Sequence, residues 1–127
     1  MGEIHFLREI IPVKQFGTGK FVMPNEALSE IDIKRAKEGF ECVKSTISSG
    51  EYDVIAIDEI VDTIILKLVD LDEFLNILKK KPEHVEIIFT GYNFIKPLAE
   101  ISDYVTNIDM IKHPYYRGID ARKGIEY

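Results

Sequence analysis

Apolar residues recur along this chain at two different periods, and their alternation sets the expected fold. From Ser29 to Ser48, residues Ile33, Ala36, Phe40, Val43 and Ile47 fall three and four apart, one stripe on a helix. Lys34, Arg35, Lys37, Glu38, Glu41 and Lys44 occupy the other faces, and Gly50 offers a C-terminal cap. The run Val54-Ile55-Ala56-Ile57 is continuous and bounded by polar residues, the pattern of a parallel strand covered on both faces. Ile60 to Leu68 fits either a short helix or a packed loop. Asp70 and Glu73 have capping-box spacing and start a helix that buries Leu71, Phe74, Leu75 and Leu78. Lys79-Lys80-Lys81 suit the negative end of its dipole, and Pro82 stops it.

Val85 to Thr90 reads as a second apolar strand, followed by a short helix from about Asn93 to Glu100 with Ile95, Leu98 and Ala99 inward. Tyr104 to Lys112 predicts a last strand and His113 to Tyr127 a loop. Near the start, Glu9 to Gln15 predicts a strand that Pro12 confines to an edge. Strand alternating with helix implies one α/β domain, a three-layer, mostly parallel sheet.

Composition narrows the class. The 127 residues are 46% hydrophobic and 30% charged, as in an ordinary globular domain. A net charge of −6 argues against a general nucleic-acid binder. The single cysteine, Cys42, excludes an internal disulfide framework. No apolar run is long enough for a membrane span, and the first residues lack a signal-peptide layout, so a cytoplasmic protein is expected.

The candidate chemistry sits where the first apolar strand stops, at Asp58 and Glu59. Open α/β sheets take up ligands beyond the carboxyl ends of their strands. Two carboxylates there suit Mg²⁺ on a nucleotide, because a hard cation takes carboxylate oxygen, water and phosphate. The same pair also suits a strand that ends at a helix cap. Phe16-Gly17-Thr18-Gly19-Lys20-Phe21 is glycine-rich but is no Walker A motif. Lys14 stands where the first glycine belongs, Phe21 where Ser or Thr belongs, and Pro24 follows. His5 and His84 have no partners in spacing and are expected at the surface. Asp62 and Asp72 read as helix-start charges.

Five segments in order resemble the P-loop ATP:corrinoid adenosyltransferases. They are Gly17-Thr18-Gly19 with a following aromatic; Tyr52-Asp53 into Ile57-Asp58-Glu59; Val69 to Leu75; Pro82 to Glu86 into Phe89-Thr90-Gly91; and Ile111-Lys112-His113-Pro114 through Gly118 to Tyr127. The last is the most specific. The resemblance covers essentially the whole chain and implies a RecA-like P-loop fold. It also implies attack of a Co(I) corrinoid on the 5′-carbon of ATP, with release of triphosphate. Carried onto this sequence, Asp58 and Glu59 bind Mg²⁺, and Thr18 and Phe21 lie near the corrinoid. Lys112, His113 and the tail from Gly118 to Tyr127 help to close the nucleotide and corrinoid side.

The sequence departs from that family at three places. The family's opening strand, phosphate loop and first helix have no counterpart, so the fold is expected to be a truncated one. Tyr92 stands where the family has Arg after Thr-Gly, and Val61 where it has Asn after the acidic pair. The expectation is therefore an adenosyltransferase homologue that is impaired or inactive as an isolated chain. The alternatives are a non-catalytic corrinoid- or nucleotide-binding or protein-interaction module, or one half of a split enzyme beside a P-loop-bearing partner chain. Self-association is also expected, through sheet edges or the Ile33–Ile47 stripe.

Overall fold

The structure, a computed structural model, describes residues 2–17 and 27–125. The chain divides into two compact units, Met1–Lys14 with Tyr104–Tyr127, and Gln15–Asp103.

The smaller unit begins with helix α1 (Gly2–Leu7). The edge strand expected at Glu9–Gln15 does not form. Arg8 N–H donates to the Ile4 carbonyl at 3.1 Å and Ile11 N–H to that of Leu7 at 2.8 Å, so helical bonding continues until Pro12, which has no N–H to give. The strand expected at Tyr104–Lys112 is likewise absent. These residues have no neighbouring strand among those described, and Tyr104, Ile108 and Ile111 are almost fully exposed. The segment ends in one 3-10 turn, Pro114–Arg117, closed by Gly118 at φ 73°.

The larger unit opens with helix α2 (Glu30–Ser49). Its N-terminus carries a reciprocal capping box: Asp32 N–H donates to Ser29 Oγ at 3.2 Å, and Ser29 N–H donates back to Asp32 Oδ2 at 3.1 Å. Gly50, at φ 63°, ends the helix as its sequence position suggested. Strand β1 (Val54–Ile57) follows, then the short helix α3 (Ile60–Ile65), helix α4 (Leu71–Lys80), strand β2 (Glu86–Phe89) and helix α5 (Lys96–Ile101). At the N-terminus of α4, Glu73 N–H donates to Asp70 Oδ1 at 2.8 Å.

β1 and β2 pair in parallel, with Val54 opposite Glu86 and Ile57 opposite Phe89. Among the described residues the sheet has these two strands alone, parallel as the α/β expectation has it. One face is covered. Ile57 belongs to the core, with Ile55, Ile87 and Phe89 packed against it, while Val54 and Ile88 on the other face are more than half exposed. The continuous apolar runs lead one to expect cover on both faces, but the face that carries Val54 and Ile88 is left largely exposed.

The core gathers Phe40 and Ile47 of α2, Ile57, Ile60, Val61 and Ile64, Val69, Phe74 and Leu78 of α4, and Leu98 of α5. Phe74 is fully buried at its centre, edge-on to Phe40 at 6.4 Å and to Phe89 at 5.8 Å between ring centroids. The α2 stripe is spent on this core from Phe40 onward, through Val43 and Ile47, whereas Ile31 and Ile33 stay exposed. Lys44 crosses from α2 to Glu73 of α4 at 2.7 Å and also meets Glu41. Those hydrogen bonds, the Glu41 bond first, raise the Lys44 pKa above its ordinary 10.5. The link is complete at neutral pH and is lost only as alkali takes the pH through the raised value.

Phe74→Ala leaves a cavity where α2, α4 and β2 meet, and is expected to cost about 3–5 kcal/mol in urea denaturation. A loss below about 1 kcal/mol would show that the three elements do not share this residue as their common contact.

Candidate functional site at the carboxyl end of the strands

The register that pairs Ile57 with Phe89 brings the next residues of both strands, Asp58 and Thr90, side by side. Thr90 Oγ1 donates to Asp58 Oδ1 at 2.6 Å and accepts from Glu59 N–H at 3.0 Å. One hydroxyl thus joins both acidic residues to the neighbouring strand. Thr90 N–H also donates to the Ile57 carbonyl at 3.2 Å, and Val61 N–H to the Thr90 carbonyl at 3.3 Å.

Glu59 has φ 57° and ψ 19°, the left-handed region. A non-glycine residue there costs about 1–2 kcal/mol and persists where its surroundings fix it. Here they do. Its N–H is held by Thr90, and its carbonyl accepts from Asp62 N–H at 3.2 Å and Thr63 N–H at 3.3 Å in the first turn of α3. Its exposed carboxylate takes part in no hydrogen bond or ion pair among the described residues. Asp58 keeps its second oxygen uncommitted in the same sense.

Asp62, expected as a simple helix-start charge, does more than that. Its Oδ2 accepts from Tyr92 N–H and its Oδ1 from Asn93 Nδ2, both at 2.8 Å. This clamp binds the turn after β2 to α3. Gly91 lies inside it, and a Cβ there would stand 2.5 Å from Val61 Cβ and 2.9 Å from Asp62 Oδ2. Only glycine fits between strand end and helix. Tyr92 and Phe94 flank the clamped turn, both largely exposed.

Thr18 and Phe21 lie outside the described residues. The chain leading to them is anchored, because Phe16 packs on α2 at Gly39, where a Cβ would come within 3.0 Å of the Phe16 side chain. Lys112 and His113 belong to the smaller unit and are exposed. His113 Nδ1 accepts from Tyr115 N–H at 3.1 Å, capping the 3-10 turn, so this nitrogen serves the backbone. His84 is at the surface as expected but has a partner: its Nε2 lies 3.0 Å from the Gly50 carbonyl, tying the end of α2 to the segment before β2.

Among the described residues no three His, Cys, Asp or Glu side chains group to hold a metal. Two strand-end carboxylates are a donor set for Mg²⁺ nonetheless, since Mg²⁺ takes one or two carboxylates and fills its octahedron with water and substrate phosphate. The donor chemistry fits that ion.

The fold is an α/β domain whose paired acidic residues, Asp58 and Glu59, lie at the carboxyl end of parallel strands, where such folds take up ligands. Within that class, the chain belongs to the ATP:corrinoid adenosyltransferase BtuR/CobO/CobP family, which matches residues 1–127. A corrinoid adenosyltransferase of Sinorhizobium sp. is 32% identical over 97 residues, covering 76% of this chain and 45% of that protein. The corrinoid adenosyltransferase of Escherichia coli K12 is 24% identical over 98 residues, 77% of this chain and 50% of its own. An uncharacterized Nostoc sp. protein is 35% identical over 98 residues, 77% of this chain and 26% of that protein. The chain spans about half or less of the length of these relatives.

Two substitutions separate strain from bonding at this site. Glu59→Gly removes the left-handed penalty and is expected to leave stability unchanged or raise it by up to about 1 kcal/mol in urea denaturation. Thr90→Val deletes both hydroxyl bonds at nearly constant shape and is expected to cost about 1 kcal/mol. Loss of stability in Glu59→Gly would mean that the side chain itself holds the fold.

Proposed function

We propose that the strand-end carboxylates form the cation-binding part of an ATP:corrinoid adenosyl-transfer site, and that the larger unit is part of a RecA-like P-loop fold. The observation that carries this reading is the Thr90 latch. It fixes Asp58 and Glu59 together, in a strained backbone, and leaves carboxylate oxygen uncommitted at the ligand end of the sheet.

In this reading Asp58 and Glu59 would hold Mg²⁺, which would supply positive charge against the triphosphate. Cobalt of the corrinoid substrate attacks the 5′-carbon of ATP. A Co–C bond forms as the C–O bond to triphosphate breaks, the triphosphate leaves with that electron pair, and Co(I) becomes formally Co(III). The family resemblance would give Thr18 and Phe21 a role at the corrinoid, and Lys112 and His113 cationic and polar roles towards the substrates. Apolar surroundings around the corrinoid exclude water from a strongly reducing centre.

These 127 residues contain no Walker A pattern. The backbone cradle for the phosphates therefore comes from chain outside them, on the same or another polypeptide, and the 127-residue chain alone is impaired or inactive in turnover. The exposed sheet face at Val54 and Ile88 supports a covering layer, from a second copy or from the P-loop-bearing chain. A cytoplasmic location suits a reaction that needs ATP and reduced cobalt; no helix among the described residues is long and apolar enough to cross a membrane. The lack of a Walker A pattern also favours a second reading, a non-catalytic module that binds corrinoid or nucleotide.

Equilibrium titration of the purified chain with Mg·ATP, and separately with cobalamin, tests both readings. The expected result is Mg²⁺-dependent nucleotide binding that weakens at least tenfold, about 1.4 kcal/mol, in Glu59→Gln, with cobalamin affinity unchanged. Cobalamin binding without any nucleotide affinity would select the non-catalytic module. If neither ligand binds, both readings fail for this chain.

A further inference from the structure

The acidic pair has an obvious candidate role; Asp62 has none in the reading above, yet it makes two of the short hydrogen bonds of this region. Resting on the cation-site reading, we propose that Asp62 is a positioning residue that sets the geometry of the Asp58–Glu59 carboxylates through the turn after β2.

The path is short and continuous. Asp62 binds Tyr92 N–H through Oδ2 and Asn93 Nδ2 through Oδ1, each at 2.8 Å. These bonds fix the two residues that follow Gly91, and Gly91 is itself wedged against Val61 with no room for a side chain. Thr90 precedes Gly91, so its position is fixed from the C-terminal side by the clamp and from the N-terminal side by the β ladder. Its hydroxyl must face two ways, donating to Asp58 and accepting from Glu59 N–H. A hydroxyl can rotate away from such a bridge at little cost unless its backbone is held, and Asp62 supplies that hold. The left-handed backbone of Glu59 depends on the same bridge. Releasing the clamp therefore loosens both carboxylates, although the Asp62 side chain bonds to neither of them.

The chemistry of the donors makes this testable. Both partners of Asp62 are N–H donors, so the site needs an acceptor at each oxygen. Asp62→Asn keeps the shape but turns one acceptor into a donor that faces another donor. Asn93→Ala removes one donor and leaves Asp62 in place, a milder variant should Asp62→Asn fail to fold.

The experiment is amide hydrogen exchange by NMR on the 127-residue chain, with Mn²⁺ titration as the cation probe. In Asp62→Asn the Glu59 and Tyr92 amides are expected to exchange at least tenfold faster, with α2 amides unchanged. Mn²⁺ affinity is expected to fall about tenfold, the low end for loss of an outer-shell partner. Asn93→Ala is expected to move the same amides less. A purely structural Asp62 would speed exchange throughout the larger unit and lower the melting temperature without this local pattern. Unchanged Glu59 protection in both variants overturns the proposal. Faster Glu59 exchange in a chain whose native form binds no Mn²⁺ upholds the positioning role and overturns the cation-site reading instead.

Discussion

The Thr90 hydroxyl is the contact on which the candidate site turns. It sits between a carboxylate that needs a donor and a backbone N–H that needs an acceptor, one from each side of the β1–α3 junction. Without it, the left-handed Glu59 would have no partner for its N–H, and the chain would gain by relaxing into an ordinary helix start. With it, the polypeptide leaves β1, reverses, and enters α3 within two residues, so that both acids stay at the strand end. An exposed position lowers the worth of each hydrogen bond, because water competes. The latch therefore acts through number: ladder bond, hydroxyl bridge and the Val61-to-Thr90 bond all define one small volume.

That volume keeps its shape only if β1 and β2 keep their register, and the register is set from the buried side. A slip of β2 by one residue would exchange Ile87 and Phe89 for Glu86 and Ile88 against the core. It would place the Glu86 carboxylate among apolar side chains. Phe89 also meets the edge of Phe74, which in turn meets Phe40, so one aromatic chain runs from β2 through α4 to α2. Burial fixes the strands, and the strands bring Asp58 to Thr90.

Much of this was legible in the sequence, and the misses have physical causes. The α2 stripe, its Gly50 cap, the Asp70 start of α4 and the two short strands follow from periodicity and capping chemistry, and the structure has them within a residue or two. Tyr104–Lys112 has a strand's composition, but a strand also needs a neighbour to take its backbone hydrogen bonds, and composition does not supply one. In the sequence Thr90 is the last residue of an apolar strand and part of one family-like segment; the parallel register that puts it beside Asp58 is a tertiary fact. Asp62 looked like a helix-start charge, and its real partners lie 30 and 31 residues away. No local pattern announces such a pair. Gly39 in the middle of a helix was the one overlooked signal, since an interior helix glycine asks for a close neighbour, and Phe16 is that neighbour.

The charge of the site sets what else it requires. Asp58 and Glu59 form no ion pair among the described residues, and the chain as a whole carries −6. Two carboxylates repel a triphosphate unless something positive lies between them, so a nucleotide can approach only as a cation complex or against cations brought by other residues. The matched stretch covers 45% of the Sinorhizobium relative and 50% of the Escherichia coli one, and the proposed phosphate cradle belongs to chain outside these residues. In the proposed site these residues would form the acidic side, with Asp58 and Glu59 held by Thr90, and the complementary part would supply N–H groups and positive charge on the other side of the phosphates. A carboxylate pair in that role gains from being stiff, because any order it lacks beforehand must be gained on binding at a cost in affinity. Strained, over-determined backbone at Glu59 is what stiffness looks like in a site otherwise open to water.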